Sequence, residues 1–175
     1  DKITLINNTS KYHFQKDFLE IKLGKKNKYI KGYFGNRLCV KKLIRKSHHL
    51  AENEIEIYKK LTVNSSNIVH FYDMSEDEVF FVIDLELCCT NLKEYLNNRN
   101  NYFDLDNIEI IKQITTGLKY LHEKKIIHQN LNPKNILISY PDNNKVLVKI
   151  SNFSMSNFES NQSSCFWINK NSIWM

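Results

Sequence analysis

His128-Gln129-Asn130-Leu131-Asn132-Pro133-Lys134-Asn135-Ile136-Leu137-Ile138 runs from an amide-rich loop into a β-branched segment, and Ser151-Asn152-Phe153-Ser154 closes the next such segment. The two apolar runs, Ile136-Leu137-Ile138 and Val146-Leu147-Val148-Lys149-Ile150, flank Pro141-Asp142-Asn143-Asn144, which is turn chemistry. This order predicts a hairpin. Such a hairpin folds the chain back on itself, so Asn130 and Asn135 approach Asn152 and three carboxamides converge on one cleft. A carboxamide offers a metal ion one neutral oxygen, a poorer ligand for Mg²⁺ than a carboxylate.

Outward from this stretch, Asp106 to Lys124 reads as a helix. Asp106 and Glu109 form a capping-box-like start, and Ile108, Ile111, Ile114, Leu118 and Leu121 form an apolar stripe. Asn91 to Asn97 reads as a short helix and Glu78 to Cys88 as an apolar strand. Arg37 to Ile44 alternates with period two: Cys39, Lys41 and Leu43 on one face, Leu38, Val40 and Lys42 on the other. In that reading Lys41 shares a face with apolar neighbours and Lys42 is the freer charge. Thr4 to Asn36 reads as irregular, and Met155 to Met175 as a polar, mobile loop. His49 to Leu61 reads as a helix whose stripe of Ala51, Glu54 or Ile55, Tyr58 and Leu61 includes a carboxylate. A buried carboxylate requires a cation. Lys41 is the natural candidate; the other reading turns Glu54 to solvent, paired with Lys59 or with nothing.

Composition sets the remaining bounds. The 175 residues are 42% apolar and 12% aromatic, enough for one domain with a core. No apolar run reaches membrane-spanning length, and Asp1-Lys2-Ile3-Thr4 lacks a secretory pattern. Cys39, Cys88, Cys89 and Cys165 match no zinc spacing and read as reduced thiols of a cytosolic compartment. The net charge of +6 is spread along the chain, without the aromatic motif of an RNA-binding surface. The chain holds 23 asparagines, so isolated ones carry little weight.

Several motifs agree in order with one family. Leu38-Cys39-Val40-Lys41 resembles the Val-Ala-Ile-Lys strand of protein kinases, and Glu54, thirteen residues on from Lys41, the glutamate of helix C. Leu85-Glu86-Leu87-Cys88 resembles the gatekeeper and hinge, His128 to Asn135 the catalytic loop, and Asn152-Phe153-Ser154 the Asp-Phe-Gly turn. Within that family, Asp84 to Tyr95, Thr115 to His122 and Asn135 to Ser139 are similar to the kinase–endoribonucleases. These are the inositol-requiring sensor of the unfolded protein response and the 2-5A-dependent ribonuclease; the His128-Gln129 pair is similar to the latter. The resemblance covers roughly residues 12 to 175. It implies an α+β, two-lobe kinase-like fold over residues 1–175: an antiparallel N-lobe sheet with helix C, and the first part of a mainly helical C-lobe. The N-lobe and hinge take about 12–88 and the incomplete C-lobe about 89–175.

By the same resemblance Asn130 stands where the proton-accepting Asp is expected, Asn132 where a Lys faces phosphate, and Asn135 and Asn152 at the two metal-ligand positions. Gly24, Cys39, Lys41, Glu54, Glu86, Cys88 and Leu137 are the nucleotide-binding candidates. Cys39 and Leu137 would sandwich adenine, the hinge would offer backbone groups, and Lys41, oriented by Glu54, would hold the α/β-phosphates. Only Gly24 remains of the glycine loop, with Lys25, Lys26 and Lys28 beside it. Gln129 replaces the Arg that pairs with phosphorylated activation loops, which argues against a switch at Ser160, Ser163 or Ser164. Phe153, His128 and Tyr58 match stacked positions that hold the lobes together. The expectation is a regulatory module of pseudokinase type, binding ATP with Mg²⁺ weak or lost, and acting through a protein partner or homodimer. It is placed in the cytoplasm, or on the cytosolic face of the endoplasmic reticulum if part of a longer sensor. The alternatives are an active serine/threonine kinase, a sensor with a downstream endoribonuclease, and a broken gene product with the apolar face of the 106–124 helix partly uncovered.

Overall fold

The computed structural model describes residues 27–61, 65–99, 105–140 and 145–159. β1 (Asn27–Phe34), β2 (Arg37–Arg45), β3 (Phe71–Glu76) and β4 (Phe80–Glu86) form an antiparallel sheet in the order β1-β2-β4-β3. Gly35, at φ 55°, supplies the left-handed residue of the tight β1–β2 turn. The expectation of an irregular Thr4–Asn36 is corrected at its end: residues 27–34 form an edge strand. Lys28 and Lys31 break any apolar alternation there, so only the backbone pairing with β2 reveals the strand.

α1 (Ala51–Lys60) connects β2 to β3 and buries the expected stripe, Ala51, Glu54, Ile55, Tyr58 and Leu61, together with Ile57. β5 (Thr90–Asn91), β7 (Ile136–Ser139) and β8 (Leu147–Ile150) make a second sheet, and β6 (Ile126–Ile127) pairs with β9 (Asn157–Phe158). The expected hairpin is β7–β8; its turn, Pro141 to Asn144, lies outside the described residues. α2 (Leu92–Asn97) starts where Asn91 Oδ1 accepts the Glu94 N–H at 3.0 Å. The segment leading into β3 makes a parallel bridge to β8: Val69 N–H donates to Ile150 O, and Ile150 N–H to Asn67 O, both at 2.9 Å.

α3 (Asn107–Glu123) corrects two expectations. Asp106 caps the Ile108 N–H at 3.2 Å, but Glu109 accepts from Gln113 Nε2 at 2.9 Å instead of reaching back, so half the capping box forms. The buried face is Ile110, Gln113, Gly117 and Leu121, whereas Ile108 and Ile111 are 61% and 62% exposed. A polar residue takes the central place because its bonds are satisfied there. Gln113 Oε1 accepts from Asn67 Nδ2 at 3.0 Å and from Val148 N–H at 2.7 Å. An apolar-periodicity reading cannot anticipate a buried Gln.

Gly117 is what lets α3 approach. A Cβ there would lie 2.7 Å from Asn67 O and 3.0 Å from Ile150 Cδ1. That oxygen is fixed by the Ile150 N–H, so it cannot yield cheaply. Gly117→Ala gains about 1 kcal/mol of helix propensity. Overpacking costs about 1–3 kcal/mol, so the variant is expected to unfold at lower urea concentration than the parent. A higher midpoint would contradict this packing.

Candidate functional site

The cleft lies between the first sheet and the β7–β8 hairpin. From above it receives Lys42. The side chain is 1% exposed, its ammonium bonds the Glu54 carboxylate of α1, and it donates to Asn152 Oδ1 at 3.1 Å. Burial pulls the Lys42 pKa down, but Tyr29 and Glu54 beside it outweigh that and hold it above its usual value. This corrects the pairing of Glu54 with Lys41 and the solvent-facing alternative. Lys41 lies on the opposite face of β2, where its ammonium forks onto Asp84 at 2.7 and 2.8 Å. Alternation along β2 puts Val40 on the cleft face with Lys42, and Cys39 on the far face with Lys41. The signal was present in the sequence. Ile44 continues the Leu38, Val40, Lys42 face and makes it the more apolar of the two; it is 1% exposed.

From below, two of the three expected carboxamides meet, those of Asn152 and Asn135, while Asn130 is reached at its backbone carbonyl and its own carboxamide bonds Asn132. Asn152 Nδ2 donates to Asn135 Oδ1 at 3.0 Å, and Asn135 Nδ2 donates to Asn130 O at 2.8 Å. Asn132 Nδ2 closes the loop onto Asn130 O and Oδ1 at 3.0 and 3.2 Å. The orientation of each amide follows from the ends of the chain of bonds. An ammonium only donates and a carbonyl only accepts. Between Lys42 and Asn130 O, Asn152 must present its oxygen to Lys42 and its nitrogen to Asn135, which must turn its own nitrogen to the carbonyl. Ser154 Oγ adds a second donor to Asn152 Oδ1 at 3.1 Å. Asn152 and Gln129 hold positive φ (66° and 58°). Asn tolerates that region better than most residues, and such strain clusters at functional sites.

His128 braces the loop. Its Nδ1 accepts the Asn130 N–H at 3.3 Å, so Nε2 carries the proton and donates to Ser151 O at 3.0 Å. Its edge meets Phe153 (centroids 5.5 Å apart), Phe153 meets Tyr58 (5.2 Å), and Tyr58 stacks on Phe71 (5.9 Å). This column of rings runs from the loop into the first sheet, as expected for His128, Phe153 and Tyr58; Phe71 was not anticipated. The Tyr58 hydroxyl is buried near the Asn152 N–H but has no partner in hydrogen-bond geometry, and burial raises its pKa well above the usual value.

Burial lowers the His128 pKa, against a smaller upward pull from Ser151 O. The unfolded imidazole protonates near pH ~6.5 while the folded one resists. The folded state therefore binds fewer protons, and stability falls as pH drops from about 6.5 toward the folded pKa. Urea midpoints measured downward through that window should fall more steeply for the parent than for His128→Asn.

At the hinge, the Glu86 carboxylate is committed. It accepts Lys149 Nζ at 3.0 Å and the His70 N–H at 2.9 Å, an ion pair 7% and 12% exposed that the sequence reading missed. Cys88 is buried, and among the described residues no backbone group uses its N–H or carbonyl. Leu137 on β7 is partly buried against the core cluster that joins the first sheet, α1, α3 and β8. Gly24, Lys25, Lys26, Ser160, Ser163, Ser164 and Cys165 lie outside the described residues.

Mg²⁺ does not fit these donors. Asn152 Oδ1 already accepts from Lys42 and Ser154, and Asn135 Oδ1 from Asn152.

An antiparallel sheet carrying a buried lysine paired to a helix-borne glutamate, above a loop and hairpin of this order, has the architecture of a protein kinase. The protein kinase domain family matches residues 22–174, and the chain belongs to it. It is 32% identical over 142 residues to "Sensor for unfolded proteins in the ER ire1" of Schizosaccharomyces pombe, covering 75% of this chain and 13% of that protein. It is 27% identical over 146 residues to "Serine/threonine-protein kinase/endoribonuclease ireA" of Aspergillus fumigatus, covering 78% and 12%. To the "Calcium/calmodulin-dependent protein kinase cmkB" of Emericella nidulans it is 29% identical over 126 residues, covering 71% and 31%. The chain thus spans less than a third of each of these relatives. It is a kinase domain related to the Ire1 stress-sensor kinases.

Proposed function

We propose that this chain is a kinase-like regulatory module with impaired phosphoryl transfer. The observation that carries the reading is the closed chain of bonds Lys42–Asn152–Asn135–Asn130. In it Asn152 Oδ1 accepts from Lys42 and Ser154, and Asn135 Oδ1 accepts from Asn152. Asn130 cannot take a proton from an incoming hydroxyl, and a general base is worth about 10²–10⁴-fold in rate. Phosphoryl transfer depends on bridging metal ions and positioning more than on covalent chemistry, so losing both leaves little rate. The Lys42–Glu54 pair and the ring column keep the kinase shape without that chemistry. Such a module acts through its surface, by a protein partner or a second copy, on the cytosolic side of the cell.

A second reading is favoured by the printed names of two relatives: the chain is the kinase part of a longer stress sensor with a ribonuclease segment. In that arrangement the domain would transmit a folding-stress signal by association. The test of the primary reading is phosphate incorporation from labelled ATP with Mg²⁺ or Mn²⁺. The expected result is none above background. Stoichiometric autophosphorylation that disappears in Lys42→Ala would establish an active kinase instead.

A further inference from the structure

The two ends of the cleft differ in what they have left to offer. At the inner end Lys42 has three N–H donors. Glu54 takes one and Asn152 another. The third side of the ammonium faces Tyr29, which stands opposite Lys42 in the β1–β2 register with Nζ 5.7 Å from its ring centroid. The Lys42 side chain is 1% exposed. A polyphosphate reaching this lysine must displace the Tyr29 ring and break the Lys42–Asn152 bond, and so disturb the amide chain below. The carboxylate nearest this lysine, Glu54, is already paired with it and leaves no charge to hold a cation against the phosphates.

At the hinge end the position is reversed. The Cys88 N–H and carbonyl are unclaimed by any described backbone group. Val40 from β2 and Leu137 from β7 are both partly buried. Lys149, opposite Leu137 in register, spends its charge on Glu86. These groups suit a flat, uncharged heterocycle that presents one donor and one acceptor.

We propose that the cleft takes an uncharged purine nucleoside in preference to a nucleoside triphosphate, with Tyr29 as the residue that excludes the phosphates. The proposal rests on the reading of this cleft as kinase-like and non-catalytic. It differs from the nucleotide-binding expectation in the ligand and in the residue that selects it.

The experiment compares adenosine and ATP, both with EDTA, by calorimetric titration of the full chain, Tyr29→Gly and Tyr29→Phe. The parent is expected to bind adenosine about 10- to 100-fold more tightly than ATP, the factor carried by one hydrogen bond to a charged group. Tyr29→Gly is expected to bring ATP to parity while leaving adenosine unchanged, with Tyr29→Phe intermediate. Tyr29→Ser serves in place of Tyr29→Gly if thermal unfolding shows that glycine loosens the strand. The proposal is overturned if the parent binds ATP as tightly as adenosine, if the ratio is the same in the variants, or if neither compound binds. ATP binding without phosphate incorporation defeats only this inference; incorporation with Mg²⁺ defeats the reading beneath it.

Discussion

Lys42→Ala is expected to destabilise the protein by about 3–5 kcal/mol, because it strands the Glu54 carboxylate, itself 1% exposed, without its cation. For a chain of this length that lowers the melting temperature by roughly 6–20 °C. Lys41→Ala should cost about 1 kcal/mol or less, since its pair with Asp84 is partly open to solvent, with side chains 28% and 13% exposed. The contrast separates the two lysines by stability alone, before any ligand is added. Lys42→Met should behave like Lys42→Ala, and adding Glu54→Leu should recover much of the loss, because an apolar pair needs no compensation. If Lys41→Ala proved the costlier change, the strand would sit with its other face to the cleft and the site would have to be rebuilt.

The second large effect concerns Asn152→Asp. A carboxylate accepts but never donates, so Asn135 Oδ1 loses the N–H that now reaches it at 3.0 Å. Turning the Asn135 amide over repairs that contact but sets its oxygen against Asn130 O, which Nδ2 now reaches at 2.8 Å. Either way two oxygens face each other without a proton, at a cost of about 1–3 kcal/mol. A divalent cation placed between them removes the conflict. Asn152→Asp is therefore expected to melt below the parent in EDTA and to regain stability with Mn²⁺ or Mg²⁺, whereas the parent responds to neither. Equal melting curves for the variant with and without cation would show that the amide orientations deduced from Lys42 and Asn130 are wrong.

How much of this was legible in the sequence depends on what each residue type can signal. The convergence of Asn130, Asn135 and Asn152 followed from turn chemistry between two β-branched runs, because a hairpin leaves little freedom in where its ends lie. The α1 stripe followed from spacing, and the ring column from the resemblance to protein kinases. The choice between Lys41 and Lys42 did not, since adjacent lysines occupy opposite faces and a one-residue shift exchanges them; only including Ile44 in the face count decides it. Gln113, Asn67 and the Lys149–Glu86 pair escaped because polar residues are read as exposed until a partner is visible. Ile108 and Ile111 were misplaced for the converse reason: an apolar residue on a helix is read as buried whether or not anything covers it. Tyr29 carried no signal at all, since its importance comes from standing across the strand pair from Lys42.

The measurement that bears most directly on the account is electron paramagnetic resonance of Mn²⁺ titrated into the chain with ATP present. Because the cleft amides are spent on one another and on Lys42, the spectrum should match that of Mn²⁺ with ATP alone. A protein-bound Mn²⁺ signal that vanishes in Asn135→Ala and in Asn152→Ala would contradict the account.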